Sequence, residues 1–386
     1  MKCGIVVIGY NRSFTIERLL NRLDQAEYHS DDVFLIISID KSDADDVYRV
    51  ANAFHWSHGN CVLKFHQKSL GLRNHILLCG SYMDEYDLDA LAVFEDDIYP
   101  SLGFYNYMCQ AVDYYQNSDQ IAGISLYTHL WNTSAQLPFQ PSYSEYDSYF
   151  LQYAQSWGQI WLRKQWHDFM DWYKVHQGKL SEVSGIPENV CSWAETSWLK
   201  YHIAYCVDQE KYFVYPYEAL STCFNEAGTH TRERCNIFQV PLMEDVNKKY
   251  RFQPPEKIQV SYDVYFEREQ ISGWLGIPCK ELCVDLYGQR RNQNKRRYLL
   301  STKKFPFRIL ESYGLEMRPH EINVLEKIPG HDIMLYDTKN AEKKTLRVSE
   351  ADQMAYYFRI IRSKVWFIRY GLENGVRKLV SIIQRR

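Results

Sequence analysis

The chain has 386 residues, 46% of them hydrophobic, and a net charge of −3. This length implies two or three domains, the apolar content excludes a disordered chain, and the charge balance offers no whole-protein attraction to nucleic acid. Ile5 to Ile8 is a short apolar, β-branched run that ends in Gly9-Tyr10-Asn11-Arg12. Phe14, Ile16, Leu19, Leu20 and Leu23 then recur at helical spacing. Val33 to Ile39 reads as a second strand closing on Asp40, with Ser42 or Asp43 available to cap a helix through Val47, Val50 and Ala51. Cys61 to Phe65 reads as a third strand, followed by a turn and helix in HQKSLGLRNHILLCGSYM.

Leu91 to Phe94 reads as a fourth, buried strand and runs straight into Glu95, Asp96 and Asp97. Three adjacent carboxylates cannot all be buried unpaired, so they face solvent, a metal or a ligand. Strand–helix alternation of this kind implies βαβ units, a mostly parallel sheet and an α/β fold. Such sheets bind ligands at the carboxyl ends of their strands, where these acids lie. Hard oxygen donors suit Mn²⁺ or Mg²⁺ beside a phosphate. Neither GxGxxG nor GxxxxGK[ST] occurs, so no dinucleotide fingerprint or phosphate loop is supported.

The order strand-GYNR, strand-SID, LGLR, strand-FEDD resembles GT-A-fold nucleotide-sugar glycosyltransferases. The likeness is to the family-2-like class of bacterial surface-polysaccharide transferases, and the EDD triplet is also similar to N-acetylglucosaminyltransferase I. The tryptophan-rich segment from Gln155, SWAETSW (192–198) on an expected helix, and a Tyr-Pro strand leading to Gly228-Thr229-His230 resemble a second block of the same class. The likeness covers roughly residues 3–240. It implies a GT-A, Rossmann-like catalytic domain over 1–245. It also implies an inverting, metal-dependent transfer of a sugar from a nucleoside-diphosphate donor to a hydroxyl of a polysaccharide or lipid-linked glycan precursor.

The resemblance also implies roles. Asp97 would contact the metal, and His230 would lie on the metal or the diphosphate. Glu95 and Asp96 would reach the ribose and nearby groups, and Asp40 the base. Tyr10 belongs to the same nucleotide-sugar site. Arg12 and Arg73 would meet base or phosphate, since guanidinium suits bidentate anion contact, or would pair with a surface carboxylate. Glu195 would be the general base, with Trp193 and Trp198 drying the site and raising its basicity. Trp157 and Trp161, four apart, fit one helix face and a core role. A UDP-sugar is the favoured donor. Two other readings stand beside this one: a nucleotidyltransferase making nucleotide sugars, against which the absence of a glycine- and lysine-rich loop speaks, and a non-catalytic carbohydrate-binding scaffold.

Beyond Leu242 the character shifts. Lys248–Lys257 reads as a linker. Residues 258–340, with VSYDVYF, ELCVDLYG, RYLLS and HDIMLYD, read as a small mixed α+β accessory domain. Its basic loop (Arg290, Arg291, Lys295, Arg296, Arg297) is either a solvated loop or a phosphate or lipid contact. Residues 350–386 read as a basic amphipathic helical tail, either packed on the domain or lying at a membrane surface. Ten scattered cysteines without a CxxC pair, and no apolar run long enough for a signal peptide or membrane span, place the protein in the cytoplasm, with peripheral membrane contact the alternative.

Overall fold

The computed structural model describes residues 1–29, 32–226, 234–291, 295–342 and 350–359, with 368–369, 371–372 and 375 beyond. The four early strands form as their apolar runs require. β1 (Cys3–Gly9), β2 (Phe34–Ile39), β3 (Cys61–Phe65) and β4 (Ala90–Glu95) pair in parallel in the order β4-β1-β2-β3. Side chains alternate across β1. Ile5 and Val7 enter one core with the helices Ser13–Asp24, Asp45–Ala53 and Phe104–Tyr115. Val6 and Ile8 enter the other with Gly71–Gly80, Arg163–His176 and Leu199–Asp208. Period-2 alternation on a strand buried on both faces thus gives three layers, helix–sheet–helix.

After β4 come β5 (Ile98–Pro100), β6 (Ile121–Ser125), the small pair β7 (Trp131–Asn132) and β8 (Leu137–Pro138), β9 (Ser148–Leu151), β10 (Gln159–Leu162), β11 (Tyr212–Pro216), β12 (Ser221–Cys223) and β13 (Ser261–Tyr262). The large sheet has nine strands among the described residues, in the order β13-β9-β11-β6-β10-β4-β1-β2-β3. β10 lies between β4 and β6, antiparallel to both. The expected α/β, mostly parallel architecture is therefore present.

Three local expectations differ. Trp157 and Trp161 do not share a helix face: Trp161 sits in strand β10, and its indole stacks on Trp166 at 3.9 Å. Its core role holds, but the period is that of a strand. VSYDVYF contributes β13 to the edge of the large sheet, parallel to β9, and not to the smaller one. The presumed linker is packed: Phe252 and Gln253 are buried, and Tyr115 Oη donates to the Gln253 carbonyl at 2.8 Å. Its polarity reflects hydrogen bonds to the sheet side, such as Arg251 N to Asp147 Oδ2 at 2.8 Å.

Gly80, at the end of its helix, is pressed against Trp166 so closely that a Cβ would fall inside the indole. Trp166 cannot retreat, because Trp161 is stacked on its other face. Gly80→Ala is expected to destabilise the protein by about 1–3 kcal/mol through overpacking, read as a lower urea midpoint at unchanged slope.

His202 is buried and stacked on Phe169 at 4.2 Å, and desolvation pushes its pKa down to about 3. As pH falls below the ordinary histidine value of about 6.5, the unfolded chain takes up this proton and the folded one does not. The neutral ring's contribution is intact above that value and drains away below it. The stability of His202→Phe relative to the wild type is expected to improve by about 1.4 kcal/mol per pH unit between pH 6 and 4. Denaturation of both proteins across that range checks this; a constant difference contradicts it.

A second sheet of four strands, β14 (Leu282–Asp285), β15 (Tyr298–Ser301), β16 (Phe307–Tyr313) and β17 (Ile333–Ala341), has the order β14-β15-β17-β16 and its own core around Ile271, Leu300 and Leu335. It is tied to the large sheet by buried Glu321, which accepts from Ser142 Oγ at 2.8 Å and Tyr262 Oη at 2.7 Å. Much of the basic loop is engaged within the protein. Arg290 pairs with Asp263, Arg291 with Glu188, and Arg296 donates to the carbonyls of Cys279 and Leu282. No helix among the described residues is long and apolar enough to cross a membrane. The tail beyond Arg359 lies almost wholly outside the described residues.

Candidate active site

The carboxyl ends of β1, β2 and β4 form one edge of the sheet. At β1, Gly9 leads through exposed Tyr10 to Arg12, just before the helix Ser13–Asp24. At β4, Glu95 ends the strand and Asp96 and Asp97 turn out of it toward β5. Arg12 joins the two ends. Its Nε donates to Asp96 Oδ2 at 3.1 Å, one terminal nitrogen donates to Asp96 Oδ1, and the same nitrogen reaches Asp97 Oδ2 at 3.0 Å. Thr15 Oγ1, one turn into the helix, adds a bond to Asp96 Oδ2 at 3.2 Å. The fork of a guanidinium permits this two-carboxylate contact.

The antiparallel strand β10 completes the edge. Gln159 stands opposite Val93, so residues 155–158 lie beside Glu95, and Ser156 hydrogen-bonds the Glu95 carboxylate. Gln155 holds this turn with a bond to Ser125 Oγ at 2.7 Å. On the outer side, β12 pairs with β5 and places Cys223 opposite Ile98. The chain then passes Phe224 to Glu226, which receives Arg18 through two bonds of 2.6 and 3.0 Å. The Arg18 guanidinium lies 3.5 Å from the Phe224 ring centroid.

Two carboxylates share one guanidinium here, and a third, Glu95, lies within reach of its charge. Burial, then the charges of Asp97 and Asp96, push the Glu95 pKa up to about 8, while Arg12 and Ser156 oppose the rise. Burial also raises Asp96, against the pull of Arg12. Arg12 itself is held protonated: burial works against its charge, but Asp96 and Asp97 outweigh it. The cluster is short of positive charge. No group of three His, Cys, Asp or Glu side chains arranged to hold a metal occurs among the described residues. The donor set nevertheless fits Mg²⁺ or Mn²⁺, which are commonly held by one or two carboxylates plus substrate phosphates rather than by a full protein cage.

The other expected residues are spread more widely. Asp40 reaches the same edge but is 4% exposed, and its carboxylate accepts the backbone N–H groups of Lys41 (2.8 Å), Leu70 (2.8 Å) and Gly71 (3.0 Å). It anchors the start of the helix Gly71–Gly80, where Leu-Gly-Leu-Arg forms the N-cap and first turn. Arg73, the last residue of that segment and in the first turn of the helix Gly71–Gly80, lies 5.6 Å from the Tyr201 ring, and its charge adds to the lowering of the Glu195 pKa. SWAETSW is not a helix. It is a turn between the helices Glu188–Cys191 and Leu199–Asp208, and Ser192 Oγ bonds back to the Asn189 carbonyl at 2.7 Å, the local competition that ends helices at serine. Nor is Glu195 dried by tryptophans. Its side chain is 78% exposed and takes a 2.8 Å ion pair from Lys200, whose own side chain is buried. That pair lowers the Glu195 pKa where a raised basicity was expected. His230 lies outside the described residues.

The chain matches no family model and no curated protein. Among solved structures it is similar to S. aureus TarS 1–349 in complex with UDP-GlcNAc (15% identity, TM-score 0.39, over 60% of each chain). A mannosyltransferase, PcManGT from Pyrobaculum calidifontis, in complex with GDP-Man and Mn²⁺, aligns at 13% identity and TM-score 0.33 over 55% of this chain and 56% of that one. Mouse xyloside xylosyltransferase 1 aligns at 6% identity and TM-score 0.39 over 55% and 84%. The match to the longer TarS structure spans only 36% of that chain. Likeness this distant carries no weight for the chemistry, which rests on the site's own residues.

Proposed function

We propose that the protein is a GT-A-type, metal-dependent glycosyltransferase that moves a sugar, with inversion, from a nucleoside-diphosphate donor to a hydroxyl of a glycan or lipid-linked acceptor. One observation carries this reading: the convergence of Arg12, Glu95, Asp96 and Asp97 at the carboxyl edge of a parallel sheet, with an excess of negative charge. Departure of a nucleoside diphosphate requires charge neutralisation at the place where such sheets receive phosphates. Asp97, whose side chain is 36% exposed, is the carboxylate free to reach a divalent cation, and His230 is a second candidate. The cation, when bound, supplies Lewis-acid neutralisation of the diphosphate. Asp96 is committed to Arg12 and Thr15 and orients the pair. Tyr10 offers an exposed ring at the mouth. Asp40, by fixing the helix start before Arg73, positions the side of the site where a base would sit.

We assign Glu195 as general base. Lys200 keeps it ionised, and the positive charge of Arg73 acts in the same direction. With UDP- and GDP-sugars and a panel of glycan acceptors, nucleoside diphosphate release should require acceptor. Glu195→Gln should lower kcat by about 10²- to 10⁴-fold and leave nucleotide affinity unchanged. Release of pyrophosphate from a nucleoside triphosphate plus sugar phosphate would establish the nucleotidyltransferase reading instead.

A further inference from the structure

A cavity of about 330 Å³ lies where the large sheet, the second sheet and the helix Glu350–Phe358 meet. Its wall holds Tyr143, Tyr287, Arg318, His320, Tyr356 and Arg359. Such a volume falls within the about 300–1,000 Å³ of small-molecule sites. The wall is preorganised. The Arg318 guanidinium lies 4.2 Å from the Tyr356 ring centroid, the Tyr287 and His320 rings are 4.5 Å apart, and His320 Nδ1 is 2.8 Å from Tyr357 Oη. Tyr143 is 73% exposed at the mouth and packs on Tyr217 at 5.0 Å. No acidic side chain lines the cavity among the described residues, while two guanidinium groups do.

The place of the cavity in the fold matters as much as its lining. β6 runs parallel to β4, so Leu130, which follows β6 and lines the cavity, leaves the sheet at the edge that carries the acids. Tyr143 precedes β9, whose first residue stands opposite the last of β11, and so lies at that edge too. β6 and β9, which Leu130 follows and Tyr143 precedes, stand two and four places along the sheet from β4, the strand of Glu95.

We propose that this cavity binds an acidic saccharide, a glycan segment bearing carboxylate or phosphate, as a remote subsite for the acceptor. Flat tyrosine faces suit sugar rings while their hydroxyls remain hydrogen-bonding partners, and the guanidinium groups meet the anion. The acceptor role rests on the glycosyltransferase reading; the binding chemistry does not.

The test is calorimetric titration of the full chain with tri-galacturonate, glucose 6-phosphate, maltotriose and inorganic phosphate, beside a separate UDP titration with Mn²⁺. One of the two acidic sugars should bind at least tenfold more tightly than maltotriose, which tells a carboxylate from a phosphate ligand, and the binding should weaken with salt. Tyr143→Ala and Arg359→Gln alter exposed side chains, so the fold should survive, and each should weaken that binding several-fold without changing UDP affinity. Arg318→Gln should weaken it tenfold or more. Equal binding of acidic and neutral sugars, no binding of either acidic sugar, inorganic phosphate as tight as the acidic sugar that binds, or competition by UDP would each overturn the proposal. Saccharide binding in a protein that fails to bind UDP would sink the donor-site reading while leaving this subsite standing.

Discussion

Arg12→Ala is expected to cost the protein about 3 kcal/mol of folding stability, the low end for breaking a buried ion pair because Arg12 is itself about a third exposed. The loss arises at Asp96, whose side chain is 7% exposed and whose charge Arg12 offsets by a double contact, the one ion pair it makes among the described residues. Without the guanidinium, Thr15 remains as the one neutral side-chain donor to Asp96 Oδ2 among the described residues. The carboxylate must then either stay charged without compensation or take up a proton, and both are costly. Arg12→Lys should recover only part of the loss, because an ammonium cannot fork between Asp96 and Asp97. Urea denaturation of the three proteins checks this. A loss below about 1 kcal/mol would mean that the contact behaves as a surface pair.

Asp97→Asn should do the opposite: little to stability, much to activity. The side chain is 36% exposed, and among the described residues one contact with Arg12, at 3.0 Å, holds it. The amide keeps the shape but loses the charge that a divalent cation needs. If the cation contributes several kcal/mol to neutralising the departing diphosphate, kcat/KM should fall about a thousandfold or more. Excess Mn²⁺ should not restore it. Arg12 and Asp97 thus separate the two tasks of one cluster, holding the strand ends together and holding the cation. Steady-state kinetics beside denaturation of the same variant tests this division, and a variant that loses stability without losing activity would reverse it.

Much of this was legible in the chain because the signals are local. β1 to β4 are apolar runs bounded by turns, and their alternation with helices leaves few sheet arrangements. The acids were legible because Glu95, Asp96 and Asp97 follow a buried strand directly, and strand ends in such sheets are where ligands bind. What was hidden depends on distant pairing. Ser156 reaches Glu95 only because β10 runs antiparallel between β4 and β6, and no local pattern announces that reversal. Thr15 and Lys200 carry no signal beyond their spacing from Arg12 and Glu195. SWAETSW was expected on a helix, yet serine–backbone bonding and the short helix before it won. VSYDVYF alternates as any strand does, and nothing local says which sheet it joins.

The central claim is a metal-dependent nucleotide site at Glu95 to Asp97. Calorimetric titration of the purified protein with UDP, GDP and CMP, each with and without Mn²⁺, and again with the Asp97→Asn protein, tests it most directly. The account predicts that one nucleoside diphosphate, UDP in the first instance, binds when Mn²⁺ is present, much more weakly without it, and not at all in the variant. Equal binding with and without metal, retained binding in the variant, or no binding of any nucleotide would contradict it.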